Sequence, residues 1–242
     1  MNDEFSAIAA YYDDLYVDPE RYKAEAVKVK SLIKTYGLSG GNDLLDLACG
    51  TGGHVPYWLD DYRVTGLDIS PEMIARARRK FPEIEFILGD MVDFSLSHRY
   101  DALVCLYGSI GFVRTLKKLN KALLSFSAHL KKGGVLCLTP WSTKEEFKPK
   151  IIVDAVKQPH VCIARMENVK LKAPGLIEIF FHHLIGRDGK VTYYTQSLEV
   201  GLFSRQQYSN AINKAGLELL EYYGGPDMPM GAFIARKPME NT

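Results

Sequence analysis

The chain has no surplus of charge. Thirty lysines and arginines stand against 29 aspartates and glutamates in 242 residues. That balance leaves no electrostatic footprint for nucleic acid or an anionic membrane, so neither is expected as a partner. The local basic runs, Arg76-Ala77-Arg78-Arg79-Lys80 and Lys131-Lys132, read as solvated helix faces or ends. Cysteine is scarce. Cys49, Cys105, Cys137 and Cys162 form no C-x-x-C pair, which excludes a zinc ribbon or a disulfide framework. They read as small apolar residues in a reducing compartment. No apolar run approaches the ~20 residues of a membrane span. The opening Met1-Asn2-Asp3-Glu4 is acidic and lacks an apolar leader, so a cytoplasmic location is expected. Repeats and low-complexity tracts are also missing.

What is present is concentrated in Leu44-Leu45-Asp46-Leu47-Ala48-Cys49-Gly50-Thr51-Gly52-Gly53-His54. An apolar run ends in an acid and then in a glycine turn. This is the pattern of a buried strand delivering a loop to the mouth of an α/β sheet, where glycine lets backbone N–H groups approach a ligand closely. A second acid, Asp68, closes the next apolar stretch, Val64-Thr65-Gly66-Leu67. An acid ~20 residues beyond a glycine turn suits the hydroxyls of a ribose. A dinucleotide fingerprint needs a third glycine facing a pyrophosphate; Val55 stands there instead.

The rest of the chain alternates. Residues 1–39 read as mostly helical with a break at Pro19. Strands are expected at 44–48, 64–67, 84–88, 100–106 and 135–139. Helices follow from Val55, from the Ser70-Pro71-Glu72 start, and over 116–130. Alternation of this kind predicts a doubly wound, mostly parallel sheet that binds ligands at its strand carboxyl ends. After Trp141 the pattern changes. Residues 161–172, 176–185 and 191–202 read as successive antiparallel strands separated by turn residues. Ser204 caps a returning helix, and 217–223 with 232–236 close the core as a hairpin. The expected fold is therefore α/β, a Rossmann-like seven-stranded sheet with an inserted antiparallel β layer. Residues 1–141 and 203–242 form the core with a helical N-terminal lid, and 142–202 form the insert. The insert also offers a surface for a homodimer.

The string Asp46-Leu47-Ala48-Cys49-Gly50-Thr51-Gly52 resembles motif I of class I S-adenosylmethionine (SAM) methyltransferases. Over almost its full length the chain further resembles the dTDP-aminosugar N,N-dimethyltransferases. The matching strings are Gly89-Asp90-Met91 with Asp93-Phe94, Ser109-Ile110-Gly111, Pro140-Trp141, Leu202-Phe203, Ala215-Gly216-Leu217 and Gly224-Gly225-Pro226. The resemblance implies SAM as cofactor. Ala48, Gly50 and Gly52 would line its methionyl part, Asp46 would sit behind that loop or reach the amino group, and Tyr22 would reach the carboxylate. Asp68 would accept from the ribose, Ile69 and Met73 would flank the adenine, Asp90 would accept from its amino group beside Met91, and Leu106 would approach the methionyl end through its backbone. Apolar groups over an aromatic face and carboxylates on donors are physically consistent roles.

The resemblance implies methyl transfer to a small molecule, most simply an amine nitrogen of an amino sugar. An O-methyltransferase acting on a hydroxylated metabolite and a non-catalytic SAM-binding regulator are the alternatives. Tyr16, Tyr107 and His182 are the candidates to orient an acceptor or relay a proton. His182 and His183 alternate faces on one strand, so at most one can meet the cleft. His54 reads as a cap or a surface residue. No acidic ligand cluster follows the fourth strand, so no metal is expected. Val17-Asp18-Pro19-Glu20 and Asp227-Met228-Pro229-Met230 offer no arginine for a diphosphate, which predicts an acceptor without such a tail.

Overall fold

A computed structural model describes residues 11–16 and 18–239 of the chain. The helical expectation for residues 1–10 lies outside the described residues. The order begins with α1 (Tyr12–Tyr16), α2 (Pro19–Tyr36), β1 (Asp43–Leu47), α3 (Val55–Trp58), β2 (Arg63–Asp68), α4 (Pro71–Lys80) and β3 (Glu85–Leu88). It continues with β4 (Tyr100–Cys105), α5 (Leu116–His129) and β5 (Leu130–Leu138). Four strands follow: β6 (Lys150–Gln158), β7 (Val161–Ala173), β8 (Leu176–Arg187) and β9 (Lys190–Gly201). The chain ends with α6 (Arg205–Lys214), β10 (Glu218–Tyr223) and β11 (Ala232–Arg236).

Seven strands form one sheet in the order β10-β11-β5-β4-β1-β2-β3. Its pairs are parallel except where β11 runs against β5 and β10. The central strands β1 and β4 are buried along their whole length, because helices cover both faces. Leu45, Leu47, Leu103 and Leu136 pack on one face with Phe126 of α5 and Tyr208 of α6. Leu44, Val104 and Val135 pack on the other with Val29, Trp58 and Ile74. Asp46 lies between Leu45 and Leu47 in β1, so it points to the face of α2 and α3. That direction places it in the site described below.

Helix starts follow local chemistry. Asp18 caps α2 by accepting from the backbone N–H of Glu20 and Arg21, with Pro19 at the first helical position. Thr115 caps α5, and Ser204 with Gln207 makes a reciprocal capping box on α6.

The second sheet is antiparallel, β6-β7-β8-β9, and lies between β5 and α6 in the chain. It has one strand more than the sequence pattern predicts. In β6, Ile151 and Val153 are exposed while Ile152 and Val156 turn inward. Apolar residues on both faces erase the alternation that marks a strand. The inner face of this sheet packs against Tyr11 and Leu15 at one end and against Phe112 and Trp141 at the other. It therefore roofs the carboxyl-end mouth of the large sheet.

Candidate functional site

β1 releases the chain into a turn in which Ala48, Gly50 and Gly52 all take left-handed backbone conformations, with φ of 56°, 56° and 77°. Alternating residues of this kind aim backbone N–H groups into a common concavity. Asp68, at the end of β2, holds the turn. One carboxylate oxygen accepts from the Gly50 N–H at 2.8 Å and the other from the Ser70 N–H at 2.9 Å. Ser70 in turn caps α4 through the Met73 N–H. A single buried carboxylate thus joins the glycine turn, a strand end and a helix start. A carboxylate at this position is the acceptor type that a vicinal diol requires.

The turn opens into a cleft, partly open to solvent, lined by Tyr12, Tyr22, Asp46, Ala48, His54 and Tyr107 among others. Helix α1 closes over it. The Thr51 hydroxyl donates to Asp13, Lys80 donates to the same carboxylate at 2.8 Å, and the Tyr12 ring comes within 4.0 Å of where a Gly50 side chain would start. These features suit an adenosine ligand with a charged amino-acid arm: a diol acceptor, a bare backbone cradle and an aromatic cover.

The floor of the cleft is polar and buried. His54 is not a surface cap. Its Nε2 lies 3.0 Å from the Glu25 carboxylate, and its ring packs 4.1 Å from Tyr22 and 5.8 Å from Trp58. Asp46 sits beside this group. Burial pushes its carboxyl up to about 6, although His54 and the Trp58 indole N–H act in the opposite direction. A raised carboxyl binds its proton more tightly in the folded state, so this group stabilises the fold below pH 4 and the contribution fades as pH rises through 6. Asp46→Asn should remove that dependence. Compared with the wild type in urea unfolding across pH 4 to 7, the variant should lack a decline of about 2–3 kcal/mol. Parallel pH curves for the two proteins would refute the assignment.

The front wall is the loop after β4. Tyr107 has φ 59° and Gly108 φ 76°. The Arg21 guanidinium donates to the Tyr107 hydroxyl at 3.2 Å and stacks on its ring at 4.6 Å. Tyr22 lies 5.7 Å away, centroid to centroid. Tyr16 leads from here to the roof. It packs on Tyr12 at 4.8 Å, and the Arg165 guanidinium of β7 stacks over it at 4.6 Å. Burial pushes the Tyr16 phenol up to about 12.

The structure thus gathers Tyr22, Asp46, Ala48, Gly50, Leu106 and Tyr107 around one cleft. Asp68 stands behind it, and Gly52 turns toward a neighbouring groove with Asp13, Asp14 and Lys80. Ile69 is exposed and Met73 buried. Asp90 is exposed and accepts from the Val92 N–H, and half-buried Met91 packs on the core. His182 is a correction. Its Nδ1 lies 2.5 Å from the Tyr193 hydroxyl on the outer face of the small sheet, away from the cleft. Strand alternation puts His183 on the inner face instead.

Arg21, Glu25, Arg165 and Glu167 escaped the sequence reading. Arg165 and Glu167 do leave a trace: both fall in phase with Val161, Ile163 and Val169, on a face that is otherwise apolar. The premise of missing arginines also changes. Arg165 stands over Tyr16, and Arg205 stands over Tyr222 at 4.2 Å, just before the Gly224-Gly225-Pro226 turn. Both cations come from elsewhere in the chain, and each pairs with a carboxylate, Asp154 and Glu146 respectively.

Residues 44–134 match the family model described as a methyltransferase domain. The chain is 34% identical over 223 residues to the dTDP-3-amino-3,6-dideoxy-alpha-D-glucopyranose N,N-dimethyltransferase of Streptomyces fradiae, covering 90% of this chain and 87% of that one. Among solved structures, Streptomyces venezuelae DesVI superimposes with a TM-score of 0.88 at 30% identity, over 96% of this chain and 98% of the other. SAM-bound CalS10, an amino pentose methyltransferase from Micromonospora echinaspora, gives a TM-score of 0.84 at 29% identity, over 98% and 99% of the two chains.

Proposed function

We propose that this chain, which belongs to the class I SAM-dependent methyltransferases as a relative of the dTDP-aminosugar N,N-dimethyltransferases, methylates the amine nitrogen of an amino sugar. The observation that carries this reading is the left-handed turn locked by Asp68, opening toward Tyr107 and a roof set with Tyr16 and Arg165. Such a cleft holds a nucleoside on one side and presents aromatic and polar side chains on the other. In this reading Asp68 holds the ribose. Ile69, Met73, Asp90 and Met91 surround the adenine. Tyr22, Asp46, Ala48, Gly50, Gly52 and Leu106 surround the methionyl arm.

When bound, SAM supplies a methyl group on a cationic sulfur that is already an excellent leaving group. The chain's task is then alignment and exclusion of water. Holding the two reactants in line accounts for ~7–11 kcal/mol of barrier reduction in favourable cases. Tyr107 is fixed by Arg21 and Tyr16 by Arg165, so both rings are positioned before the acceptor arrives. Residues 142–202 form the acceptor-facing layer of this reading. The balanced charge supports a small-molecule substrate without nucleic acid, and the four free cysteines support a cytoplasmic enzyme. Among the described residues no helix is long and apolar enough to cross a membrane. The outer face of the small sheet, with Val153, Leu184 and Tyr193 exposed, is the surface a second copy would use in a homodimer.

Nitrogen and oxygen acceptors separate by pH. An alkylamine reacts only as its free base, so kcat/KM should climb about tenfold per pH unit below the amine's own pKa. The test assays SAM turnover from pH 6 to 9 with dTDP-linked amino sugars, the corresponding free amino sugars and hydroxylated analogues lacking the amine. Turnover of the amine with that slope is expected. Turnover confined to the hydroxylated compounds would establish O-methylation instead. Tight SAM binding with no turnover of any of them would favour the regulator.

A further inference from the structure

The inner face of the four-stranded sheet is apolar at both ends and polar in the middle. Along β7 it presents Val161, Ile163, Arg165, Glu167 and Val169; along β8 it presents Ile177, Ile179, Phe181, His183 and Ile185. Ile163 and Ile185 pack under Tyr11 and Leu15. Val169, Ile179 and Phe181 pack under Phe112 and Trp141. Between these clusters the register sets Arg165 opposite His183, and Phe181 between Glu167 and Gln196.

Charges and amides in the middle of a buried face are costly unless something answers them. Arg165 is answered by Asp154, which accepts two of its N–H groups, and by the Tyr16 ring. The other three are not fully answered. Glu167 is buried, and its one ion pair among the described residues is a 3.1 Å approach of Arg165 Nη1 that lacks hydrogen-bond alignment. His183 is fully buried and, among the described residues, has no hydrogen-bond partner on either ring nitrogen. The Gln196 amide nitrogen and oxygen are likewise buried without partners among the described residues. Burial and the neighbouring Arg165 hold the His183 imidazole below its ordinary value, so it is neutral and offers one donor and one acceptor. The belt is continuous with the cofactor cleft. Tyr16 touches Arg165 on one side and Tyr12, a wall of that cleft, on the other.

We propose that this belt is the acceptor subsite: Glu167 accepts an N–H hydrogen bond from the reacting amine, and His183 and Gln196 bind hydroxyls of the same ring. The proposal rests on the amine reading above and assigns residues to it. With an N–H on Glu167, the nitrogen lone pair is directed at the methyl group. The N–C bond forms as the C–S bond breaks, and the bond's electron pair stays on sulfur. The alkylated nitrogen is then cationic and releases a proton, which the Glu167 carboxylate receives before passing it to water. Burial raises that carboxyl's affinity for the proton. Arg165 and Lys150 oppose this, and Asp154 adds to it. Tyr16 and Tyr107 are the phenols that face it from α1 and from the loop after β4.

The test uses the full chain with SAM and, as probe, dTDP-3-amino-3,6-dideoxyglucose. Steady-state rates are measured for wild type, Glu167→Gln, His183→Ala and Gln196→Ala. SAM affinity is measured by calorimetry, and probe binding in the presence of S-adenosylhomocysteine. Glu167→Gln preserves shape and leaves Arg165 paired with Asp154, so folding survives. It should lower kcat/KM for the amine by about tenfold to a hundredfold. SAM affinity should not move, and the thermal midpoint should not fall. His183→Ala and Gln196→Ala should raise KM and weaken probe binding while kcat holds. Wild-type kcat/KM in Glu167→Gln, or a parallel loss of SAM affinity, would overturn the subsite and leave the amine reading intact. A wild type that neither binds nor turns over the probe, yet methylates a hydroxylated analogue, would overturn the amine reading and the Glu167 assignment with it.

Discussion

Asp68→Ala is expected to weaken SAM and S-adenosylhomocysteine binding by at least about a hundredfold, or about 3 kcal/mol. Two losses combine. The ribose loses a charged acceptor, and the Gly50 and Ser70 N–H groups lose theirs in a buried setting. A charge-assisted hydrogen bond contributes about 1.5–3 kcal/mol, and a buried donor left unpaired costs about 1–3 kcal/mol more. Calorimetry gives the affinity, and urea unfolding of the ligand-free protein gives the cost to the fold. Asp68→Asn keeps an oxygen for one N–H and should lie between the two. Affinity for SAM unchanged in the alanine variant would remove Asp68 from the site.

The second large effect is expected at Gly108. Its φ of 76° is one that an L side chain adopts with strain, and an added Cβ would stand 2.6 Å from the Trp141 Cα. The neighbour is backbone and cannot swing away. Left-handed strain of about 1–2 kcal/mol and crowding of about 1–3 kcal/mol act together. Gly108→Ala should therefore lower stability by about 2–5 kcal/mol, seen as a lower urea midpoint at constant slope. Gly216→Ala separates the two causes. Gly216 has φ 74° with open space around it, so that variant should lose only the strain of about 1–2 kcal/mol. Because Gly108 follows Tyr107, turnover should fall further than stability predicts, through a displaced Tyr107 ring. Equal destabilisation of the two variants would show that Trp141 yields to the new methyl group.

Much of the cofactor side was legible because its signals are local. The strand-turn unit from Asp46 to Gly52, the acid closing β2 and the Ser70-Pro71 cap each lie within one short stretch, where backbone geometry restricts which residues serve. The roof of the cleft was not legible in this way. Tyr16 meets Arg165 only because α1 and β7 pack together, and His54 meets Glu25 only because α2 crosses the glycine turn. In β8, alternation says that His182 and His183 oppose one another but not which faces inward. That depends on which side of the sheet α1 covers. β6 was missed because its apolar residues lie on both faces.

By itself the sequence determined the doubly wound core, the left-handed glycine turn after β1 and the acid that closes β2. Hydrophobic periodicity, caps and left-handed turns are properties of neighbouring residues. Only the tertiary structure decided how far α1 closes over the turn, that the buried floor joins Asp46 to His54 and Glu25, and that Arg165, Glu167, His183 and Gln196 share one polar belt. Those contacts join residues far apart in the chain. They arise from the face each strand buries, which is settled only when the small sheet packs over the mouth of the large one.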